Sequence, residues 1–310
     1  MKRSLLLYAL LIVAFLVLGC SAEKPKPETI KVGILPIEDA LPMVVASDEG
    51  IFSEHGLKVE IVSFNSALER DAALMAGDVD AVITDPLAVI LLKDKGYDVR
   101  IVSICLGKKP DEGVFAILAA PNSTVSTVED LNGKEIAISS NTIIEYVTDV
   151  MLSKYDVSYK KVEIKQIPVR LRTLLDGKVD AATLPEPLAS YAVSQGAKLI
   201  LSDAMMNESV TQTVIAFRGD FVDKHKDELK KFLEAYKEAV DKINSNKDKY
   251  RDKFIEIARV PENIASSYPM PNYPEPEKFP KDFYERYLEW AMKKGLVSKE
   301  VPYEEAVADV

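Results

Sequence analysis

Two stretches about a hundred residues apart repeat each other. Residues 58 to 88 read KVEIVSFNSALERDAALMAGDVDAVITDPLA, and residues 161 to 189 read KVEIKQIPVRLRTLLDGKVDAATLPEPLA. The KVEI opening, the G-x-V-D-A core and the acid-Pro-Leu-Ala ending recur in the same order. A duplication with so long a period builds two similar lobes, not a solenoid of short units. Each copy carries the same local instructions. In the first, the β-branched run Val59 to Val62 predicts a strand, Leu68 to Ala76 has helical spacing ended by Gly77, and Ala81 to Ile83 predict a second strand. Pro86 and Pro187 stand where the first turn of a helix accepts proline, directly after Asp85 and Glu186. The pattern predicts an α/β chain of two lobes with a cleft between them.

Lys2 and Arg3 precede the apolar run Leu5 to Leu18, which ends in Gly19-Cys20-Ser21, so residues 1 to 19 have the layout of an export signal. The run falls short of the roughly 20 residues that a bilayer span needs. Val17-Leu18-Gly19-Cys20 resembles the lipobox of bacterial lipoproteins, which implies cleavage before Cys20 and a lipid on its sulfur. An uncleaved N-terminal anchor helix is the alternative. Residues 20 to 28 are charged and proline-rich, the composition of a stiff solvated tether. Both alternatives place the remainder outside the cytoplasm at a membrane, in a periplasm or on the outer cell surface.

The 310 residues, 47% hydrophobic and 28% charged, are enough for two lobes with real cores. A net charge of -10 repels nucleic acid phosphates and leaves small solutes open as partners. Beyond Cys20 only Cys105 remains, inside an apolar stretch, so no disulfide framework or cysteine-rich metal site can form. His55 and His225 are the only histidines, and neither phosphate-cradling glycine motif is present. No catalytic triad, metal or cofactor is expected.

Strands are expected at Ile30 to Leu35, Val99 to Leu106 and Glu135 to Ile138, and a helix at Ile143 to Lys154. Gly113 to Ala119 reads as a strand leading out of the first lobe, and Val210 to Phe217 carries the chain back. That makes a hinge of two crossing strands, with residues 29–118 and 212–310 in lobe one and 119–211 in lobe two. From Asp220 onward the spacing turns to long amphipathic helices, expected to pack on lobe one. Tyr268 to Pro280 holds too many prolines for regular structure and is a loop, either a plain connector or an aromatic cover for the cleft. Trp290, in a further amphipathic helix at Phe283 to Lys294, reads as a packing anchor.

The segment DEGIFSEHGLKVEIV, with Gly50-Ile51-Phe52 followed by Gly56-Leu57 running into a strand, and the blocks AGDVDA and DGKVDA resemble the SsuA/THI5-like solute-binding proteins of ABC transporters. These are receptors of the sulfonate, nitrate, taurine and thiamine-precursor type. The resemblance spans roughly residues 30 to 218. It implies a type II periplasmic-binding-protein fold and a monomeric, lipid-anchored receptor that hands a small solute to a membrane permease. Pyrimidine-precursor synthases and menaquinone-pathway enzymes resemble the same architecture, but the synthases' cysteine-rich motif is absent here. A sensor ectodomain is a further alternative.

In parallel α/β sheets, ligands bind where the carboxyl ends of strands meet the starts of the next helices. Those positions are Glu38, Asp39, Ser66, Thr84 and Asp85 in the first lobe, and Ser139, Ser140, Asn141, Thr142 and Glu186 in the second. Hydroxyls and helix-start N–H groups can hold an oxyanion. Four carboxylates in one crevice instead disfavour an anion and favour N–H donors. The balance leans to a nitrogen heterocycle or a vitamin precursor such as a thiamine-type pyrimidine, with a sulfonate, taurine or nitrate oxyanion as the alternative. Helix capping alone would also explain Ser66, Ser139 to Thr142, Asp85 and Glu186. Arg70 and Arg170 each stand seven residues before the repeat glycine, which argues for a shared structural role or an anion contact. Asp80 and Asp180 read as turn residues.

Overall fold

The computed structural model describes residues 29–310. The export signal, Cys20 and the tether therefore lie outside the described residues. In chain order the strands are β1 (Thr29–Ile34), β2 (Lys58–Ser63), β3 (Ala81–Thr84), β4 (Val99–Leu106), β5 (Phe115–Ala119), β6 (Glu135–Ile138), β7 (Lys160–Glu163), β8 (Ala181–Pro185), β9 (Lys198–Ser202) and β10 (Thr213–Arg218). They form two five-stranded sheets, ordered β2-β1-β3-β10-β4 and β7-β6-β8-β5-β9.

The two orders are one topology. A central strand, β1 or β6, lies parallel to both its neighbours, and the next strand, β10 or β5, runs antiparallel between the remaining pair. The repeated sequence supplies matching pieces of each sheet: β2, helix and β3 in one, β7, helix and β8 in the other. Its aspartates do the same job twice. Asp80 Oδ2 accepts from Lys31 N at 2.9 Å beside β1, and Asp180 Oδ2 accepts from Glu135 N at 3.0 Å at the start of β6. β3, wholly buried, reads as an unbroken apolar run up to Thr84, whereas β2 at the sheet edge alternates exposed and half-buried residues.

The helices are α1 (Leu41–Asp48), α2 (Ile51–Glu54), α3 (Ala67–Ala76), α4 (Pro86–Asp94), α5 (Ile143–Leu152), α6 (Ile167–Leu175), α7 (Leu188–Ser194), α8 (Gly219–Lys224), α9 (Lys226–Ser245), α10 (Lys247–Ile257), α11 (Glu262–Ala265), α12 (Lys281–Lys293) and α13 (Tyr303–Ala306). The amphipathic run after Phe221 is broken once, at His225, between α8 and α9. Leu229, Phe232, Tyr236, Val240 and Ile243 then form the buried stripe of α9, with Phe232 stacked 5.0 Å from Phe52 and edge-on to Phe217 at 5.2 Å. Burial of each such side chain contributes about 1.5–3 kcal/mol, so α9 is fixed to the first lobe. α12 packs on α4 of the first lobe and also touches α5 of the second, so it serves both.

The chain crosses between sheets at residues 107–114 and 203–212. Each crossing holds one 3-10 turn, Pro110–Glu112 and Asp203–Met205. The strand at Gly113 to Ala119, expected to lead out of the first lobe, instead begins at Phe115 and pairs with β8 and β9 along its whole length. It belongs to the second sheet, and its side of the crossing ends before residue 115 rather than at 118. The two crossings pack backbone against backbone. Gly107, at φ +87, approaches Thr211 so closely that a Cβ would sit 2.1 Å from the Thr211 carbonyl oxygen. A Cβ on Gly113 would lie 2.5 Å from Ala204 N. The buried Asp203 carboxylate ties them together, accepting from Phe115 N at 2.8 Å, Val114 N at 3.3 Å and the Thr211 hydroxyl.

Candidate functional site

Glu38 after β1 and Glu186 after β8 lie in each other's field and both meet Tyr268, so the carboxyl ends of the parallel strands β1 and β3 face those of β6, β7 and β8 across one crevice. Directly after β1, Glu38 and Asp39 form a single 3-10 turn and are both buried. The Glu38 carboxylate accepts from the Tyr268 hydroxyl, and its backbone carbonyl accepts from the Tyr273 hydroxyl at 2.8 Å. Burial, reinforced by the charges of Glu186 and Asp39, pushes the Glu38 carboxyl up to about 8. It is therefore mostly protonated at neutral pH. Burial also raises Asp39, to about 6, against the lowering influence of Thr213 and the Arg70 guanidinium. Asp39 stays mostly ionised at pH 7; the Thr213 hydroxyl stands beside its carboxylate, but Oδ1 makes no hydrogen bond of ordinary length.

Arg70 reaches from α3 to the end of β3, where Nη1 donates to Ile83 O at 2.9 Å and Nη2 to Thr84 Oγ1 at 2.7 Å. It also bonds Asp71 Oδ1 through Nε and Nη2. Asp85 caps α4 by accepting from Ala88 N at 2.9 Å, and burial raises its carboxyl above the ordinary range. Ser66 caps α3 by accepting from Glu69 N at 3.2 Å, while Glu69 reaches back to Asn65 N at 3.2 Å.

In the second lobe, Thr142 Oγ1 donates to Ser139 O at 2.7 Å and accepts from Ile144 N at 3.2 Å as the cap of α5. The neighbouring amides are answered by carboxylates of the chain itself. Ser140 N donates to Glu163 at 2.9 Å and Asn141 N to Glu145 at 2.7 Å. Glu186 accepts from Ser190 N and Ser190 Oγ, both at 3.0 Å, and its own N–H donates to Val114 O at 2.7 Å. Burial raises its carboxyl.

The structure thus brings Glu38 and Glu186 from opposite lobes into each other's field beside Tyr268. It gathers Asp39, Thr84 and Asp85 around Arg70. Ser66, Ser139, Asn141 and Thr142 are engaged in local bonds at their helix starts, and Ser140 N bonds Glu163 of the neighbouring strand. Tyr268 and Tyr273 are not among the residues that the sequence points to. The loop that carries them, read as either connector or cover, is pinned into the first lobe by their hydroxyls. His55 lies away from the crevice, 3.2 Å from Glu238 of α9. No cluster of three or more His, Cys, Asp or Glu among the described residues could hold a metal ion. Two hollows, of about 340 and 310 Å³, sit at the opposite ends of the sheets, one lined by Asn122, Lys178 and Asp180, the other by Asp80, Arg218 and His225. Neither adjoins the crevice.

Two sheets of one topology, joined by paired crossings and facing each other across their strand ends, make the periplasmic-binding-protein fold. The periplasmic aliphatic sulphonate-binding protein SsuA from Escherichia coli has this fold, with a TM-score of 0.77 over 90% of this chain and 97% of that one at 20% identity. The chain belongs to the NlpA lipoprotein family, whose model matches residues 30–258. Among relatives, a Brachyspira hyodysenteriae protein provisionally named an ABC transporter periplasmic binding protein is 26% identical over 75% of this chain and 71% of its own. A Bacillus subtilis protein provisionally named as binding aliphatic sulfonates is 24% identical over 86% and 82%. The D-methionine-binding lipoprotein MetQ of Escherichia coli is 25% identical over 73% and 88%. No described helix is long and apolar enough to cross a membrane.

Proposed function

We propose that this chain is the extracytoplasmic substrate-binding lipoprotein of an ABC importer, held to the membrane by a lipid on Cys20 and acting as a monomer. It captures a small organic nutrient bearing N–H donors, of the nitrogen-heterocycle or vitamin-precursor kind, and presents its closed form to a permease. A ligand touching both lobes stabilises that form by its differential affinity. The observation that carries the choice of solute is the state of the helix starts. The N–H groups of Glu69, Ala88, Ser140, Asn141 and Ser190 are already bonded to Ser66, Asp85, Glu163, Glu145 and Glu186. Those are the donors an oxyanion would need, whereas Glu38 and Asp39 offer buried acceptors to a donor-bearing solute.

An oxyanion such as a sulfonate or nitrate is the second reading, supported by the names of the sulfonate-binding relative and fold neighbour. A role as receptor rather than enzyme draws on the relatives being binding proteins. A thermal-shift screen of vitamins, pyrimidines, amino acids, sulfonates and nitrate tests the choice. A solute at a hundred times its dissociation constant adds roughly 2.7 kcal/mol of stability. N–H-bearing solutes are expected to raise the midpoint, and a response to ethanesulfonate or nitrate alone would overturn the assignment.

A further inference from the structure

Four buried side-chain atoms among the described residues lack a hydrogen-bond partner: Asp39 Oδ1, Thr213 Oγ1, Arg170 Nε and Arg170 Nη2. Unsatisfied buried polar atoms are rare, and each calls for an explanation. All four lie at the crevice ends of the sheets. Asp39 follows β1, and Thr213, which opens β10 next to Val214 and so to Thr84 at the end of β3, lies beside the Asp39 carboxylate without closing an ordinary hydrogen bond to it. Arg170 Nη1 donates to Ile164 O, one residue past the end of β7, at 2.7 Å.

The internal repeat supplies a control. Arg70, the counterpart of Arg170, bonds Ile83 O, Thr84 Oγ1 and Asp71. In the second copy Leu171 stands in the place of Asp71 and Leu184 in the place of Thr84. Arg170 is 0% exposed and keeps two nitrogens, Nε and Nη2, without a hydrogen-bond partner. Burial lowers it only to about 10, so the guanidinium remains charged at neutral pH. A structural arginine has its bonds completed in one lobe; in the other, the residues that would complete them are replaced by leucines.

We propose that the solute is two-headed: an N–H donor end answers Asp39 in the first lobe, and a carboxylate, sulfonate or ring-carbonyl oxygen answers Arg170 in the second. This rests on the receptor function above and adds the chemistry of the solute's other end. A single-headed amine leaves Nε and Nη2 of the buried guanidinium without a hydrogen bond, and a bare oxyanion leaves Asp39 Oδ1 so, although Glu163 and Arg70 lie in their respective fields. Leaving a buried polar atom of a charged group without a hydrogen bond is costly. Only a solute with both ends satisfies both lobes, so the same chemistry that selects it also favours closure. Amino acids, aminosulfonates and amino-substituted pyrimidinones belong to this class.

Isothermal titration calorimetry on the full-length chain in detergent tests the requirement. The probes are methionine against 3-(methylthio)propylamine and 4-(methylthio)butanoate, taurine against ethylamine and ethanesulfonate, and cytosine. At least one two-headed probe is expected to bind about tenfold or more tightly than its single-headed analogues. Arg170→Gln is expected to remove about tenfold or more of that affinity, leave the amine-only analogue unaffected, and not lower the unliganded melting temperature. Asp39→Asn gives the mirror image, weakening the amine-bearing probes and sparing the acid-only ones, and serves alone if Arg170→Gln does not fold. Equal binding of a single-headed analogue, or an Arg170→Gln chain that loses unliganded stability but no affinity, overturns the two-headed solute while leaving the receptor function standing. Silence of every probe, and of every solute in the wider thermal screen, overturns both.

Discussion

Trp290 Nε1 donates to Asp149 Oδ2 at 3.0 Å, joining the last long helix of the chain to the first helix after β6. The same carboxylate lies 2.6 Å from Lys294 Nζ, and its other oxygen accepts from the Tyr159 hydroxyl at 2.9 Å. Nearby, Tyr146 stacks on Tyr287 with ring centroids 4.2 Å apart. Since α12 also packs on α4, it braces the two lobes beside the crossings. Lys294 further contacts Glu145, whose other oxygen holds Asn141 N at the crevice, so the brace extends to the candidate site.

Trp290→Phe keeps an aromatic ring and removes the bond to Asp149, which retains Lys294 and Tyr159. The expected cost is about 1 kcal/mol in urea denaturation. Unchanged stability would show that the brace carries no weight.

Gly107→Ala places a Cβ 2.1 Å from the Thr211 carbonyl oxygen at a backbone conformation that alanine resists. A loss of more than about 2 kcal/mol is expected from the clash and strain together. A variant as stable as the parent in the same denaturation would contradict the close packing of the crossings.

Stability should fall as pH rises from 5 to 8. The Glu38 and Asp39 carboxyls, ordinarily at 4.5 and 3.8, are pushed up by burial to about 8 and about 6. The folded chain therefore holds protons that the unfolded chain has released. Their contribution is full below the unfolded values and is lost as pH climbs through the folded ones. Glu49 and Asp98 work in the opposite sense, because bonds from Lys249 and Arg100 lower them and their contribution is lost in acid. Glu38→Gln should flatten the fall of the melting midpoint between pH 5 and 8. A wild-type midpoint that is level or rising across that window is the contrary result.

Cys20→Ser should move the full-length chain from the membrane fraction to the soluble one. Full retention on membranes would count against the lipid anchor.

The repeated unit is legible in the sequence because its instructions are local. Asp85 caps α4 and Gly77 ends α3 within a few residues of where each acts. The lobe that β5 joins is not legible, because its partners β8 and β9 lie far along the chain and nothing within Phe115 to Ala119 encodes which sheet takes it. The tyrosines at the crevice escape the sequence for the same reason. Tyr268 meets Glu38 across 230 positions, and Tyr273 across 235. A proline-rich segment reveals irregular backbone but not where its side chains point. The crevice amides are legible as anion donors, and the capture of Asn141 N by Glu145 is local, but the capture of Ser140 N by Glu163, 23 positions on, depends on how β7 is packed beside β6.

The most direct test is the distance across the crevice. Leu68 at the start of α3 and Val169 at the start of α6 are 79% and 47% exposed and stand on opposite lobes. With Leu68→Cys and Val169→Cys spin-labelled in a Cys20→Ser chain, and Cys105 buried beyond labelling, double electron–electron resonance reports the gap with and without methionine, taurine or cytosine. A shorter, narrower distance distribution with at least one of these solutes is the predicted result. A distribution that none of them changes would contradict a receptor that closes its two lobes on a donor-bearing solute.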